Sequence, residues 1–248
     1  MNKSNFQIRL PDEIQGLNLA EHEEYFFITQ NGQERRLRLH DYAEVYSIPG
    51  LYEYILLEKL GYRSYQVMPA LLVEKVTENG LLVEQLKILE IGAGSGLFGK
   101  ALAKRGVTSI IGVDKLPEAA VAANRESPGI YQEYIVEDLT KLSQSTQNKL
   151  EQLKLNCLVC CSALSKGHIP AAVFKAALNL IQEGGWVMFN ISKTSYDNQI
   201  NPSEFICFYR EEISQGNLEL YHTHVYEHRR FFNGQTIQHI AVLERKQR

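Results

Sequence analysis

The pattern of apolar and polar positions changes near Gly80 and divides the chain into two parts. In the second part, short apolar runs alternate with segments of helical periodicity. The runs predict strands over residues 86–91, 109–113, 131–136, 155–161 and 186–191. Such alternation is typical of a parallel sheet with helices on both faces. Two further strands, 218–229 and 236–244, are predicted to form an antiparallel hairpin at one edge of the sheet.

The first part, residues 1–80, contains the signature of a β-hairpin. Two short segments, 25–28 and 37–39, flank Asn31-Gly32, a dipeptide that suits a type I′ turn. A two-residue loop at this point places Phe26 opposite Leu37. The segments that follow the hairpin have helical periodicity, over residues 42–46, 51–60 and 65–76.

The composition narrows the class of protein. The 248 residues are 44% apolar and 22% charged with a net charge of −3, which is typical of a globular protein. We expect no nucleic acid partner, because proteins that bind nucleic acid usually carry a basic surplus. We also expect no membrane span and no signal peptide, because the apolar runs are too short for either. The four cysteines do not read as a disulfide framework, so the expected compartment is the cytoplasm.

Two motifs resemble metal sites, and for both of them a structural interpretation is favoured. Cys157 and Cys160 match C-x-x-C, but they lie within a predicted strand, where residues three apart point to opposite faces. We therefore interpret them as core residues. His222, His224 and His228 share one face of the predicted strand over 218–229, and a polar edge strand explains this pattern better than a metal site. We expect no metal ion.

The most informative stretch is the glycine-rich loop that follows the first strand of the second part. It reads Glu90-Ile91-Gly92-Ala93-Gly94-Ser95-Gly96 and leads into a predicted helix. Glycines at such a position let the backbone pass close to a bound ligand. Asp114 stands at the tip of the second strand, where a carboxylate can accept hydrogen bonds from ribose hydroxyls, and Asp138 follows the third strand. Together these strand ends predict a pocket for an adenosine-containing ligand.

Two cofactors fit this pocket. The segment Gly94-Ser95-Gly96-Leu97-Phe98-Gly99 matches the dinucleotide fingerprint G-x-G-x-x-G. However, the carboxylate of Glu90 would repel the pyrophosphate of NAD beside the same loop. S-adenosylmethionine carries an ammonium and a sulfonium group, so an acid at position 90 favours it.

The chain resembles the Rossmann-like, class I methyltransferases that use S-adenosylmethionine. The resemblance rests on Glu90-x-Gly92-x-Gly94-x-Gly96 with the acids at 114 and 138, and it covers residues 86–244. Residues 42–46, Tyr-Ala-Glu-Val-Tyr, are similar to the W-A-x-x-Y element of the small-molecule branch of this family, and residues 162–170 are similar to its G-A-L-x-x-G-x-x-P motif. Asn156 stands where the family usually has an acid, and Cys160-Cys161-Ser162 departs from the N/D-P-P-Y signature of enzymes that methylate amino groups of nucleic acid or glutamine side chains of proteins.

The resemblance implies a fold and a set of roles. The fold is a doubly wound, mostly parallel seven-stranded sheet with an antiparallel C-terminal edge hairpin. Glu90 would orient the ammonium of the cofactor, Asp114 would hold its ribose, and Tyr46 would cover the pocket as part of an N-terminal lid. The implied cofactor-binding residues are Tyr46, Glu90, Gly92, Ala93, Gly94, Gly96, Asp114, Lys115, Leu116, Asp138, Leu139 and Ser162.

These observations predict an enzyme in two parts. Residues 1–80 would form a hairpin and helical lid, and residues 81–248 would bind S-adenosylmethionine and transfer its methyl group to a small molecule, which leaves S-adenosylhomocysteine. His168 is the candidate for a general base, and a homodimer is compatible with this interpretation. The alternatives are an NAD(P)-dependent oxidoreductase and a non-catalytic module of the same fold.

Overall fold

The computed structural model describes residues 6–11, 23–164 and 169–248, and these residues form two β-sheets. The strands are β1 (Gln7–Arg9), β2 (Tyr25–Gln30), β3 (Gln33–Arg38), β4 (Lys87–Ile91), β5 (Ser109–Asp114), β6 (Glu133–Val136), β7 (Cys157–Cys160), β8 (Trp186–Ser192), β9 (Leu218–Arg230) and β10 (Thr236–Lys246). The main sheet has the order β6-β5-β4-β7-β8-β10-β9, and β10 runs antiparallel to both of its neighbours. The predicted seven-stranded sheet with an antiparallel C-terminal hairpin is therefore confirmed.

Helices precede the main sheet and connect its strands. They are α1 (Tyr42–Ser47), α2 (Leu51–Glu53), α3 (Ser64–Glu78), α4 (Leu97–Ala103), α5 (Pro117–Glu126), α6 (Gln144–Gln152), α7 (Ala171–Asn179), α8 (Lys193–Asp197) and α9 (Glu204–Ser214). The sequence did not predict α6 or α8. Of α6 only Leu150 is buried, so this polar helix carries almost no apolar periodicity. Among the described residues, no helix is both long and apolar enough to cross a membrane.

Two apolar cores cover the two faces of the main sheet. One contains Leu89 of β4 with Phe174 of α7, and the other contains Ile88 of β4 with Phe98 of α4. Successive residues of a buried strand point to opposite faces, so an uninterrupted apolar run fills both cores. Cys160 lies in the first core and Cys157 in the second, which confirms their interpretation as core residues.

The N-terminal part forms a small three-stranded sheet, β1-β2-β3. Asn31 and Gly32 make the two-residue turn between β2 and β3 with φ values of 51° and 78°. Phe26 lies opposite Leu37 in this hairpin, as predicted. The additional strand β1 was not predicted. It pairs with β2 over three residues, too few for alternation to be visible in the sequence.

The helices between the two sheets connect the N-terminal part to the main sheet. The predicted helix over 51–60 is α2 continued by a π-helical segment, Tyr54–Lys59, and Gly61 follows with a φ of 60°. α1 packs against α5 of the main domain through Tyr46, Ala119 and Ala122. α3 packs on the main sheet as part of the second core, although it precedes residue 80. The division of the chain at that residue stays a prediction.

Candidate functional site

The glycine-rich loop joins β4 to α4 at the carboxyl edge of the main sheet. The backbone N–H groups of Gly92 and Ala93 both donate to the carbonyl oxygen of Val113, at 2.9 and 3.2 Å, and tie the loop to β5. β4 lies between the parallel strands β5 and β7, where the strand order of the sheet reverses. Open α/β sheets bind their ligands at such a point.

The loop requires glycine for its backbone and for its close packing. Gly92, Gly94 and Gly96 have φ values of 67°, 53° and 81°, a region that side chains with a Cβ rarely adopt. A Cβ on Gly92 would lie 2.8 Å from the Cβ of Ala163, and one on Gly94 would lie 2.5 Å from the hydroxyl oxygen of Tyr46. The side chains of Ala163 and Tyr46 therefore pack against the glycine-rich loop and leave no room for a Cβ at Gly92 or Gly94.

Glu90 is a buried carboxyl beside this loop, with only 2% of its surface exposed. The hydroxyl of Tyr131 donates to its Oε2 at 3.0 Å. The pKa of Glu90 is raised to about 8, mainly by burial; the hydrogen bond from Tyr131 opposes this rise, and the charge of Asp114 adds to it. A cation placed beside Glu90 would stabilise its ionised form, whereas an anion would be repelled.

Asp114 ends β5 and holds the loop through hydrogen bonds. Its Oδ2 accepts from the N–H of Gly94 at 3.1 Å, and its Oδ1 accepts from the N–H of Leu116 at 3.0 Å. Burial raises the pKa of Asp114, although these backbone N–H groups and the exposed Lys115 oppose the shift. Each carboxylate oxygen has a further lone pair, so Asp114 is able to accept hydroxyl groups in addition.

Tyr42, Tyr46 and Tyr52 form an aromatic cluster, which we call the aromatic lid, and the hydroxyl of Tyr46 lies beside Gly94 of the loop. Tyr46 is 6% exposed, and its ring lies 5.8 Å from the ring of Tyr42 and 4.8 Å from that of Tyr52. The Nη2 of Arg125 donates to the carbonyl oxygen of Tyr46 at 2.9 Å, which fixes α1 to α5. Burial raises the pKa of Tyr46, so its hydroxyl stays protonated beside Gly94.

Asp138 lies after β6 and makes hydrogen bonds within its own turn. Its Oδ1 accepts from the N–H and the hydroxyl of Thr140, at 2.9 and 2.7 Å. These hydrogen bonds lower the pKa of the exposed Asp138 carboxyl, so it is ionised near neutral pH. Leu139 is buried in the core of the sheet. Their contribution to ligand binding stays a prediction.

A second group of polar side chains lies where β7 and β8 end. We call it the Asn190 network; its members are Ser64, Ser162, Asn190, Tyr226, His228 and His239. Asn190 is 1% exposed, and its Oδ1 accepts from the N–H of Ser162 at 2.6 Å. Its Nδ2 lies within 3.2 Å of Ser64 Oγ, Ser162 Oγ, Tyr226 Oη and His239 Nδ1.

Two stacked histidines form the inner end of this network. The rings of His228 and His239 are 3.6 Å apart and almost parallel, and Nδ1 of His228 lies 2.7 Å from the Oγ of Ser64. Burial lowers the pKa of His228 well below its usual value and that of His239 to about 3, and Arg229 adds to both shifts. Arg229 is itself paired with the buried Glu24 at 2.6 Å. Both imidazoles are therefore neutral at physiological pH.

The Asn190 network adjoins the glycine-rich loop. Ser162 has a left-handed backbone with a φ of 59°, and its Oγ lies 3.0 Å from the hydroxyl oxygen of Tyr62. The next residue, Ala163, packs directly against Gly92. The predicted site residue Ser162 thus belongs to a different cluster from Glu90, although both clusters meet at the same loop.

Sequence reasoning missed most of the residues that complete the two clusters. Tyr131 was read as part of a strand, and Asn190 was not singled out, although it is a polar residue within the apolar run of β8. His228 is buried, whereas His224 on the same strand is exposed, and the sequence does not distinguish them. His168 lies outside the described residues. Within the described ranges, no cluster of three histidine, cysteine or acidic side chains is arranged to hold a metal ion.

Comparison with known proteins identifies the family. A family model described as "Methyltransferase domain" matches residues 62–242, which is more than half of the chain. The ubiquinone biosynthesis O-methyltransferase of Paracidovorax citrulli is 28% identical over 110 residues, which cover 42% of each chain. The corresponding enzyme of Neisseria meningitidis serogroup C is 25% identical over 129 residues. The matches thus span about half the length of these curated relatives, or less.

Solved structures share the fold. A S-adenosylmethionine-dependent methyltransferase from Clostridium acetobutylicum aligns with 80% of this chain and 97% of its own, with a TM-score of 0.54 and 16% identity. The magnesium protoporphyrin IX methyltransferase of Synechocystis, solved with bound S-adenosylhomocysteine, aligns with 74% of this chain and 83% of its own, with a TM-score of 0.52 and 13% identity.

Proposed function

The chain belongs to the class I S-adenosylmethionine-dependent methyltransferases, and we propose that it binds this cofactor beside the glycine-rich loop and methylates a small molecule. The observation that carries the proposal is the buried Glu90, whose pKa of about 8 shows how poorly its charge is compensated. An ammonium group beside Glu90 would supply the missing positive charge. The glycine cradle and Asp114 provide complementary contacts for the remainder of the cofactor.

S-adenosylmethionine, when bound, would supply a methyl group on a sulfonium whose sulfur keeps the electron pair of the broken carbon–sulfur bond. The residues of the chain bind and orient. Glu90 would pair with the ammonium, and Asp114 would accept from the ribose hydroxyls while it holds the N–H of Gly94. Tyr46 would exclude water from the loop, which helps to align the reactants. A proton on the accepting atom would be released to water, since methyl transfer from a sulfonium does not require a general base.

The rival interpretation as an NAD(P)-dependent oxidoreductase is disfavoured by the same carboxyl. A pyrophosphate beside the loop would face two acids, Glu90 and Asp114, and the charge of Asp114 already raises the pKa of Glu90. The net charge of −3 supports a small-molecule acceptor rather than a nucleic acid. We place the enzyme in the cytoplasm. A homodimer stays a prediction.

Calorimetric titration with S-adenosylmethionine, S-adenosylhomocysteine and NADH tests the cofactor. We expect the first two to bind and NADH not to bind. Asp114→Ala should weaken cofactor binding by about 2–3 kcal/mol, or about 30- to 150-fold, because it removes charged hydrogen bonds. Asp197→Ala, which changes an exposed carboxylate of α8, is the matched control and should bind normally.

The outcomes separate the rivals. Tight binding of NADH would establish the oxidoreductase instead. Cofactor binding without transfer of labelled methyl groups into any component of a metabolite extract would indicate the non-catalytic module. Equal affinity of the wild type and Asp114→Ala would contradict the ribose role of Asp114.

A further inference from the structure

The orientation of the Asn190 amide follows from its contacts. The N–H of Ser162 lies 2.6 Å from Oδ1 of Asn190, so the opposite orientation would bring two donors together. Nδ2 of Asn190 therefore faces Nδ1 of His239, at 3.0 Å. An amide nitrogen donates and does not accept, so Nδ1 of His239 must be unprotonated. The neutral ring consequently carries its hydrogen on Nε2.

That hydrogen has no acceptor in the described part of the chain. His239 is only 2% exposed, and its buried Nε2 makes no hydrogen bond. A buried donor left without a partner costs about 1–3 kcal/mol, so such groups need an explanation. The neighbouring histidine does not share this problem at its ring nitrogen Nδ1, since Ser64 Oγ accepts from Tyr226 and donates to His228.

The position of His239 relates this donor to the transfer reaction. His239 lies opposite Ser192 and so occupies the carboxyl edge of the sheet, where β8 ends. Asn190 connects it to Ser162, and Ala163 packs against Gly92 of the glycine-rich loop. The donor thus belongs to a cluster that begins at the loop and extends away from the cofactor residues Glu90 and Asp114.

We propose that the Asn190 network is the binding site for the methyl acceptor, and that Nε2–H of His239 donates to a hydroxyl or carbonyl oxygen of a neutral acceptor molecule. This proposal rests on the proposed function, because it assigns the second substrate of the same site. His239 is a positioning residue in this scheme: it holds an oxygen of the acceptor, and Asn190 keeps its hydrogen on the nitrogen that does so.

The charge of the network selects the class of acceptor. Its side chains are hydroxyls, an amide and two neutral imidazoles, and the neighbouring Arg229 already forms an ion pair with the buried Glu24. A carboxylate bound here would lose its hydration without gaining an unpaired cation, which is costly. An ammonium group would bring N–H donors against the Nε2–H donor. A neutral oxygen acceptor avoids both penalties.

Three probes with the same ring test this selection: benzyl alcohol is neutral, benzoate is an anion, and benzylamine is a cation at neutral pH. Protein labelled with ¹⁵N-histidine would be titrated with each probe, with and without saturating S-adenosylhomocysteine. The free protein should show the Nε2–H form of His239. Benzyl alcohol should shift the His239 signals in a saturable manner, at a concentration at least tenfold below that needed for benzoate or benzylamine. The exposed His224 is the internal control.

A variant then removes the donor while it keeps a ring against His228. His239→Phe should weaken benzyl alcohol binding at least tenfold in ligand-observed NMR and should leave S-adenosylhomocysteine affinity unchanged. His224→Phe, the matched substitution on an exposed position of β9, should change neither.

Any of four results would overturn the inference: a hydrogen on Nδ1 of His239, no shift with benzyl alcohol, equal binding of a charged probe, or normal benzyl alcohol binding by His239→Phe. The test of the cofactor is independent of the test of the acceptor site. If the wild type does not bind S-adenosylhomocysteine, the proposed function is refuted. The tautomer of His239 and the probe selectivity of the free protein decide the acceptor site.

Discussion

The two sides of the sheet's carboxyl edge differ in electrostatic character: one side carries buried acids, and the other carries uncharged polar groups. Beside β4 and β5 lie two acids, Glu90 and Asp114, whose burial raises both pKa values. Beside β7 and β8 lies the Asn190 network, whose groups are polar but uncharged. A site for a cationic cofactor benefits from acids that lack compensation, while a site for a neutral acceptor benefits from hydrogen-bonding groups without net charge. This difference supports the proposed assignment of the cofactor to the side of Glu90 and of the methyl acceptor to the Asn190 network.

The two sides also differ in how they are assembled from the chain. Glu90, the glycines and Asp114 come from one strand–loop–helix–strand unit of 25 residues. The Asn190 network draws on Ser64 in α3 and His239 in β10, which are 175 positions apart. The proposed cofactor side is a local motif, whereas the proposed acceptor side exists only in the folded protein.

The largest expected effect is at Gly94, and it tests whether the cofactor side depends on its cradle. Gly94→Val places a side chain at a φ of 53° and within 2.5 Å of the Tyr46 hydroxyl. We expect S-adenosylhomocysteine binding to fall below detection in calorimetry, because the loop and the lid cannot both keep their positions.

The control for this change is Gly129→Val. Gly129 has a φ of 72° but no atom within 4 Å of the position of its Cβ, so the substitution introduces similar backbone strain without the steric conflict. It should lower thermal stability and keep cofactor affinity. If both variants bind normally, the loop is merely a connector between β4 and α4.

A smaller effect is expected at Tyr46, which tests the lid. Tyr46→Ala should lower S-adenosylhomocysteine affinity at least tenfold, about 1.4 kcal/mol. Tyr46 is also buried against α5, so its truncation should lower the free energy of unfolding by about 3 kcal/mol, as aromatic-to-alanine changes in cores do. Affinity and urea denaturation would be measured separately, below the melting temperature of the variant.

Tyr46→Phe separates the ring from the hydroxyl. It keeps the packing with Tyr42 and Tyr52 and should retain most of the stability. If Tyr46→Ala binds the cofactor as well as the wild type does, the aromatic lid is packing between the two parts of the chain and not a cover for the site.

The last prediction concerns Glu90 and the dependence of stability on pH. Its pKa is about 8 in the folded protein and about 4.5 in the unfolded chain, so the folded state holds a proton that the unfolded state has released. Stability should therefore fall as the pH rises from 4.5 through 8. Glu90→Gln should flatten this slope and melt at a higher temperature than the wild type at pH 8.

The same variant should bind S-adenosylmethionine more weakly, because the amide cannot pair with an ammonium group. The control Glu58→Gln changes an exposed carboxyl and should reproduce the wild-type pH profile of melting temperature. A wild-type slope that survives in Glu90→Gln would assign the pH dependence to other groups and weaken the electrostatic contrast between the two sides.

Most strands and helices, their order along the chain and the glycine-rich loop could be predicted from the sequence alone. The buried strands are uninterrupted apolar runs, and the turn at Asn31-Gly32 and the break at Gly61 rely on glycine or asparagine at positive φ, so local chemistry reveals them. Glu90, Gly94 and Asp114 could be grouped because adjacent parallel strands bring their ends to one edge. Short or polar elements such as β1 and α6 were not predicted, because their apolar periodicity is too weak to detect in the sequence.

Which polar residues share an environment depends on the tertiary structure. His228 and His224 look alike in the sequence, yet a bulge in the pairing of β9 with β10 accompanies the stacking of His228 on His239, while His224 stays exposed. Asn190 became the centre of a network because α3 places Ser64 over β8, a contact between residues 126 positions apart. Burial and hydrogen-bond partners at such separations depend on packing, and packing is a property of the whole fold.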